Sequence, residues 1–416
     1  MGWYKELGAR QKNAFWACFG GWTLDAMDVQ IYALVLPAIT AAWSLTKGQG
    51  GLLATAGLLS SSVGGVLAGY LADRIGRVKV LQIAILWFSG FTFMSGLAQN
   101  YDQLMIFRIL QGIGFGGEWA AGAVLMAEIV GAKHRGKAVA AVSSGWAVGY
   151  GLAAILYTVL FNLVSSDLAW RVLFFVGILP AFLIVYIQRS VDDPEVYLAA
   201  KAADPSSKPA IAEIFKGALG LRTFSAWLVC LGVLGGNYTV LFWLPTYLRT
   251  ERHLSYSNTG LFLLVNIAGS FLGYILGGHI SDRIGRKNAL KLFAVLGVIS
   301  VWSYVQFATS PTAVLLMGFP LGFAQSGMNS GLGPFLSELF PTRLRATGQG
   351  FCYNAGRGIG AVFPAVVGWW STTVGLTFAI SGAAAFAYAI VFVASFLLPE
   401  TRARQLSAID VTGDVK

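Results

Sequence analysis

Charge is scarce in this sequence. Aspartate, glutamate, lysine and arginine together make up 12% of its 416 residues, about half the share of a soluble domain. That scarcity excludes an ordinary soluble globule and puts the chain in the membrane class. Cysteine is scarcer still. Cys18, Cys230 and Cys352 each lie in an apolar run. Their spacing makes neither a disulfide framework nor a metal motif, and they read as small buried hydrophobes. The three histidines, His134, His253 and His279, fall at loops or segment ends. No Gly-rich phosphate loop, metal-spaced His/Cys set or nucleophile–base arrangement occurs, so no enzyme, metal or cofactor is expected. The first residues lack both a cleavable signal pattern and the hydroxyl that myristoylation prefers.

Apolar length is what the chain has instead. Hydrophobic residues make up 56%, and 51 glycines suit helices that approach closely in lipid. A span needs about 20 apolar residues. Twelve such segments run roughly over 14–42, 50–72, 78–98, 102–130, 137–163, 169–189, 221–248, 256–281, 288–308, 311–339, 346–370 and 374–398. The expected fold is therefore an all-α membrane protein with twelve transmembrane helices in two pseudo-symmetric six-helix bundles. The domains are 1–190, a polar linker at 191–220 with one or two short surface helices, and 221–416 with a short tail.

The net charge of +10 is explained by where the bases sit. If both termini are cytoplasmic, the outer loops hold only Lys47, Arg171, Arg249 and Arg252. Arg108 and Arg357 lie within spans, and the other 23 of the 29 bases face the cytoplasm. This bias obeys the positive-inside rule. It assigns the positive charge to lipid headgroups rather than to nucleic acid.

The halves repeat. GYLADRIGRVK (69–79) matches GGHISDRIGRK (277–287), with Asp73 and Asp282 209 residues apart. AEIVGAKHRGKA (127–138) matches SELFPTRLRATG (337–348), with Glu128 and Glu338, and Arg135 and Arg345, 210 apart. So long a period is a duplicated half, not a solenoid, and duplicated six-helix halves are a transporter architecture. These motifs, with RILQGIGFG (108–116), make the chain resemble the major facilitator superfamily over nearly its whole length. Within it, LDAMD, GGEWAAGAVLMAE, HRGKA, GWAVGYG and GFCYNAGR are most similar to the organic-acid:proton symporters of the sialate/lactate and aromatic-acid branches. Ala26 departs from the glycine usual in the aromatic-acid branch. LPETRARQL resembles the end of sugar carriers, whose signature after the sixth helix is replaced by QRSVDDPE.

The resemblance implies proton-coupled uptake of a small organic anion, a monocarboxylate, by a monomer in a bacterial inner membrane. The alternative is a proton-coupled efflux antiporter, although the fifth segment lacks the Gly-Pro motif of drug antiporters.

Particular residues suit that task. Asp25 and Asp28 share one helix face near mid-membrane, roughly 24 Å past Lys12 for Asp28. Ionised acids there cost at least about 2.5 kcal/mol each. They persist if paired, protonated or facing a water-filled cavity. With Glu118 they are the proton-coupling candidates, and helix packing is the plainer role for each.

Arg357 offers a planar fork for a carboxylate. It either binds substrate or holds a permanent salt bridge to Asp28 or Glu118. Asn354, Tyr353, Trp119, Gln325, Asn329 and Tyr238 complete the candidate substrate site, with Trp22, Tyr32, Trp146, Tyr150 and Trp243 as further aromatic lining. Arg108 reads as a brace between the fourth and first helices through backbone carbonyls or the acids; proton coupling is its other reading. Asp73, Arg74, Gly76, Arg77, Asp282, Arg283, Arg286, Glu128, Arg135, Glu338 and Arg345 read as a cytoplasmic gate. There Glu128 would pair with Arg135, and Glu338 with Arg343 or Arg345.

Overall fold

The computed structural model describes residues 4, 7–75, 77–129, 141–182, 211–340 and 344–401. Nearly all are helical, as a backbone must be where lipid offers no hydrogen-bond partners. In the first half the helices are α1 (Ala9–Ala42), α2 (Lys47–Ile75), α3 (Arg77–Leu97), α4 (Tyr101–Ile129), α5 (Gly145–Leu163) and α6 (Ser166–Val176). The second half has α7 (Gly217–Thr250), α8 (Tyr256–Ile284), α9 (Arg286–Trp302), α10 (Pro311–Leu339), α11 (Arg345–Gly360), α12 (Phe363–Val374) and α13 (Leu376–Leu397). Among the described residues, eight helices are long and apolar enough to cross a membrane.

Two departures from the sequence expectation have local causes. The eleventh segment is two helices, α11 and α12, because Pro364 has no N–H to give the carbonyl of Gly360 and its ring crowds it. α9 ends in a π turn, Ser303–Phe307. α10 starts as expected from its sequence: Pro311 stands at the first position, and Ser310 accepts from the N–H of Ala313 at 3.2 Å. Within the expected linker, Ile211–Phe215 is a 3-10 turn, and 191–210 lie outside the described residues.

The chain forms two compact units. The first contains Met1–Pro205, Leu241–Leu264 and Pro364–Thr373; the second contains Ser206–Val240, Val265–Phe363 and Val374–Lys416. The first unit therefore holds the first half together with the C-terminal part of α7, the N-terminal part of α8 and most of α12. Its α2 and α4 pack at backbone distance, because a side chain at Gly116 would run into the carbonyl of Ser61. Large apolar side chains such as Phe182, Phe307 and Trp369 remain exposed, as helices facing a membrane require.

Candidate functional site

In the first unit the site starts from α1, where Asp25 and Asp28 are both buried. The three-residue step turns the two carboxyls about 60° apart around the axis. Asp28 faces Thr92, Gln111 and Arg108. One oxygen of Asp28 accepts from Thr92 Oγ1 at 2.6 Å and from Gln111 Nε2 at 2.5 Å. Gln111 Oε1 in turn accepts from Arg108 Nη1. The buried Arg108 guanidinium lies over the ring of Tyr32, 4.3 Å from its centre, a cation–π contact.

Arg108 thus links α4 to α1 through a ring and an amide. A small cleft with room for about one water adjoins it, lined by Arg108, Gln111, Gly57, Leu58, Phe115 and Phe242. Trp22 and Trp146 pack together with ring centres 5.4 Å apart. The side chains of Glu118 and Trp119 lie outside the described residues.

In the second unit Arg357 sits on α11 with 2% of its surface exposed. Tyr353, one turn earlier, is within electrostatic reach of Arg357, Tyr238 and Tyr274. A fixed cation thus lies beside the Tyr353 phenol, an arrangement suited to a carboxylate. The amides expected beside it are engaged otherwise. Asn354 Nδ2 donates to the carbonyl of Gly350 at 3.0 Å, and Asn329 Nδ2 to that of Gln325 at 3.4 Å. Gln325 Nε2 donates to the hydroxyl of Tyr388 at 3.3 Å, which donates to Asn237 Oδ1 at 3.4 Å. The hydrogen-bond partners of Asp28 are Thr92 and Gln111, both in its own unit.

The second unit also contains one copy of the repeated charge motif. Arg286 grips Glu338 with two prongs, Nε to Oε2 at 3.3 Å and Nη2 to Oε1 at 3.2 Å, and meets Asp282 at 2.6 Å. Arg286 is placed there by the turn at Gly285, whose φ of 94° suits glycine; Arg343, like the side chain of Arg345, lies outside the described residues. Thr401 Oγ1 donates to Glu338 at 2.6 Å, and Glu400 accepts the backbone N–H groups of Arg286 and Lys287. The chain after α13 is thereby tied to the start of α9. In the first copy, Gly76 and Arg135, and the side chains of Asp73, Arg74, Arg77 and Glu128, lie outside the described residues, as does the side chain of Arg345. Arg283 is exposed.

At the Lys47 end of the first unit the helices are sealed. Lys47 Nζ meets Glu251 at 3.2 Å. A side chain at Gly51 would come within 2.5 Å of the carbonyl of Pro364, and one at Gly368 within 2.5 Å of the carbonyl of Lys47. Trp243 Nε1 donates to Pro364 at 3.0 Å. Trp243 and Tyr32, read from the sequence as pocket lining, are buried parts of this packing.

Sequence reasoning missed Thr92, Gln111, Tyr274 and Tyr388. Only Gln111 had a signal, being one helical turn after Arg108 in RILQGIGFG.

The model of the Major Facilitator Superfamily matches residues 18–364 and 267–412. The chain is 41% identical over 400 residues to a probable 4-methylmuconolactone transporter of Cupriavidus pinatubonensis, covering 96% of this chain and 93% of that one. It is 31% identical to the cis,cis-muconate transport protein of Acinetobacter baylyi, over 90% of this chain and 92% of that one. Among solved structures, the xylose transporter XylE from E. coli superposes with a TM-score of 0.75 at 18% identity, covering 95% and 98% of the two chains.

Proposed function

Because the chain belongs to the Major Facilitator Superfamily, and is a carrier rather than an enzyme, we propose that it takes up a small organic anion together with a proton by alternating access. The observation that carries this reading is the membrane-buried Asp28, held by Thr92 and Gln111 and linked through Gln111 to Arg108. A carboxyl at this depth is costly, and a carrier that must take up and release a proton has a use for it. Asp25 and Glu118 are the further acids of the route.

Arg357 beside Tyr353, which in turn lies near Tyr238 and Tyr274, supports recognition of a carboxylate. Trp119, Asn354, Gln325 and Asn329 complete the substrate site in this reading. The cargo is a monocarboxylate with a ring or unsaturated body. The cargoes named for two relatives, 4-methylmuconolactone and the dicarboxylate cis,cis-muconate, support an unsaturated organic acid, and the muconolactone carries the single carboxylate of this reading. In the cell the protein is a monomer of the bacterial inner membrane, with both termini and the Arg286–Glu338 gate on the cytoplasmic side. The Lys47–Glu251 end then faces outward.

The test is transport by purified protein in liposomes. Under an inward proton gradient, 4-methylmuconolactone or cis,cis-muconate accumulates inside, and collapsing the gradient with an ionophore abolishes accumulation. Uptake that ignores the gradient would overturn the coupling.

A further inference from the structure

Tyr32 stands where the buried acid site meets the outer seal. It lies one turn after Asp28 on the same face of α1 and is fully buried. Three contacts leave it in three directions. Its ring carries the Arg108 guanidinium, 4.3 Å from the centre. Its hydroxyl donates to the carbonyl of Gly50, in the first turn of α2, at 2.8 Å. Its ring edge meets Phe242 of α7, with centres 6.0 Å apart.

Two of these contacts lead straight into the seal. Gly51, next to Gly50, is the residue on which α12 rests at Pro364, and Lys47 of the same turn holds Glu251. Trp243, next to Phe242, donates to Pro364. The third contact leads the other way, from Arg108 through Gln111 to Asp28.

We propose that Tyr32 is the positioning residue through which the charge on Asp28 sets the outer seal. This rests on the reading of Asp28 as the proton carrier and of the Lys47 end as outward. While Asp28 is ionised, its charge draws Arg108 toward α1, the guanidinium lies on the Tyr32 ring, and the hydroxyl holds the first turn of α2 against α12. A proton on Asp28 removes that attraction. Arg108 then loosens from the ring, Gly50 is released, and the seal opens. A carrier that has taken a proton but no substrate is thereby kept open to the outside, which prevents an uncoupled proton leak.

Among the described residues, few other charges surround these groups. Arg108 and Tyr101 of α4 are the titratable groups that act on Asp28 and Tyr32, and Asp25 lies one turn earlier on α1. From α2, α3 and the end of α6 the facing groups are uncharged: the Gly50 carbonyl, Thr92 and Gly177.

The experiment reads the seal by thiol labelling from outside. Thr246 of α7, buried at the seal, is changed to cysteine in a full-length chain whose three native cysteines are replaced. Labelling should be several-fold faster at pH 5.5 than at pH 8. Tyr32→Phe keeps the ring under Arg108 but loses the hydroxyl, and should reduce that pH ratio to near one. Tyr32→Leu should do the same. Asp28→Asn should label fast at both pH values. A wild-type pH ratio in both Tyr32 variants overturns the role of Tyr32. If Asp28→Asn also keeps the wild-type ratio and still accumulates substrate, the reading of Asp28 fails as well, so the two failures are distinguishable.

Discussion

Arg108 and Asp28 are joined by a single amide. Gln111 accepts from the guanidinium with its oxygen and donates to the carboxylate with its nitrogen. A direct ion pair would have to break whenever the acid was protonated, and breaking a buried pair is strongly unfavourable. The amide keeps the charges apart while letting each feel the other. The carboxyl can then gain or lose a proton with its hydrogen bonds to Thr92 and Gln111 still in place, since a neutral carboxylic acid keeps acceptor capacity.

Asp28→Asn follows as the first test. Asparagine keeps an acceptor for Thr92 and Gln111 but cannot carry a proton. Gradient-driven accumulation should be lost, while exchange of labelled for unlabelled substrate survives within a few-fold. Accumulation at the wild-type level would remove Asp28 from the coupling. Asp25→Asn and Glu118→Gln, measured alongside, show whether another acid shares the task.

Recognition is tested at Arg357. Truncating one partner of a buried charge pair costs about 2–5 kcal/mol, so Arg357→Ala should weaken substrate binding by at least about ten-fold, since 1.4 kcal/mol is tenfold. Lysine keeps the charge but not the fork, and Arg357→Lys should fall between the two. The amide of a bound acid should not compete on the wild type. Equal binding of acid and amide would show that the carboxylate is read elsewhere.

The cytoplasmic gate is tested at Glu338. Its carboxylate takes both prongs of Arg286 and the hydroxyl of Thr401. Glu338→Gln weakens all three bonds without touching the Arg357 site. Turnover should change about ten-fold, a shift of about 1.4 kcal/mol in the balance of states, while substrate affinity stays within about three-fold. An affinity loss as large as the rate loss contradicts a latch.

The outer seal is tested at Gly51. A side chain there would lie 2.5 Å from the carbonyl of Pro364 and 2.9 Å from the Cα of Ala365, both backbone atoms that cannot swing away. Gly51→Val should abolish transport while leaving substrate binding from the outside intact. Normal transport by the variant would show that the seal does not close in the cycle.

Much of this was legible in the sequence because membrane physics leaves few choices. Apolar runs of spanning length fixed the helices, and intramembrane charges stood out as costly, which is how Asp28, Arg108 and Arg357 became candidates. Partners were less legible. Arg286 and Glu338 are 52 residues apart, and only the packing of α9 on α10 makes them neighbours. Thr92 and Tyr388 are single polar groups in apolar helices, with no periodicity to mark them. Tyr32 was visible as an aromatic, but its place between Arg108 and Gly50 follows from how α1, α2 and α4 meet. The break at Pro364 was legible in GAVFP and was read through as one helix.

The central claim is coupling of the proton to an organic anion, and proton movement itself tests it most directly. The purified protein is placed in liposomes loaded with a pH-sensitive dye, with no gradient imposed, and an outward-to-inward gradient of cis,cis-muconate or 4-methylmuconolactone is applied. The account predicts that the interior acidifies as substrate enters, that Asp28→Asn removes the acidification, and that Arg357→Ala removes both signals. Substrate entry with no change of internal pH, or with alkalinisation, would contradict it.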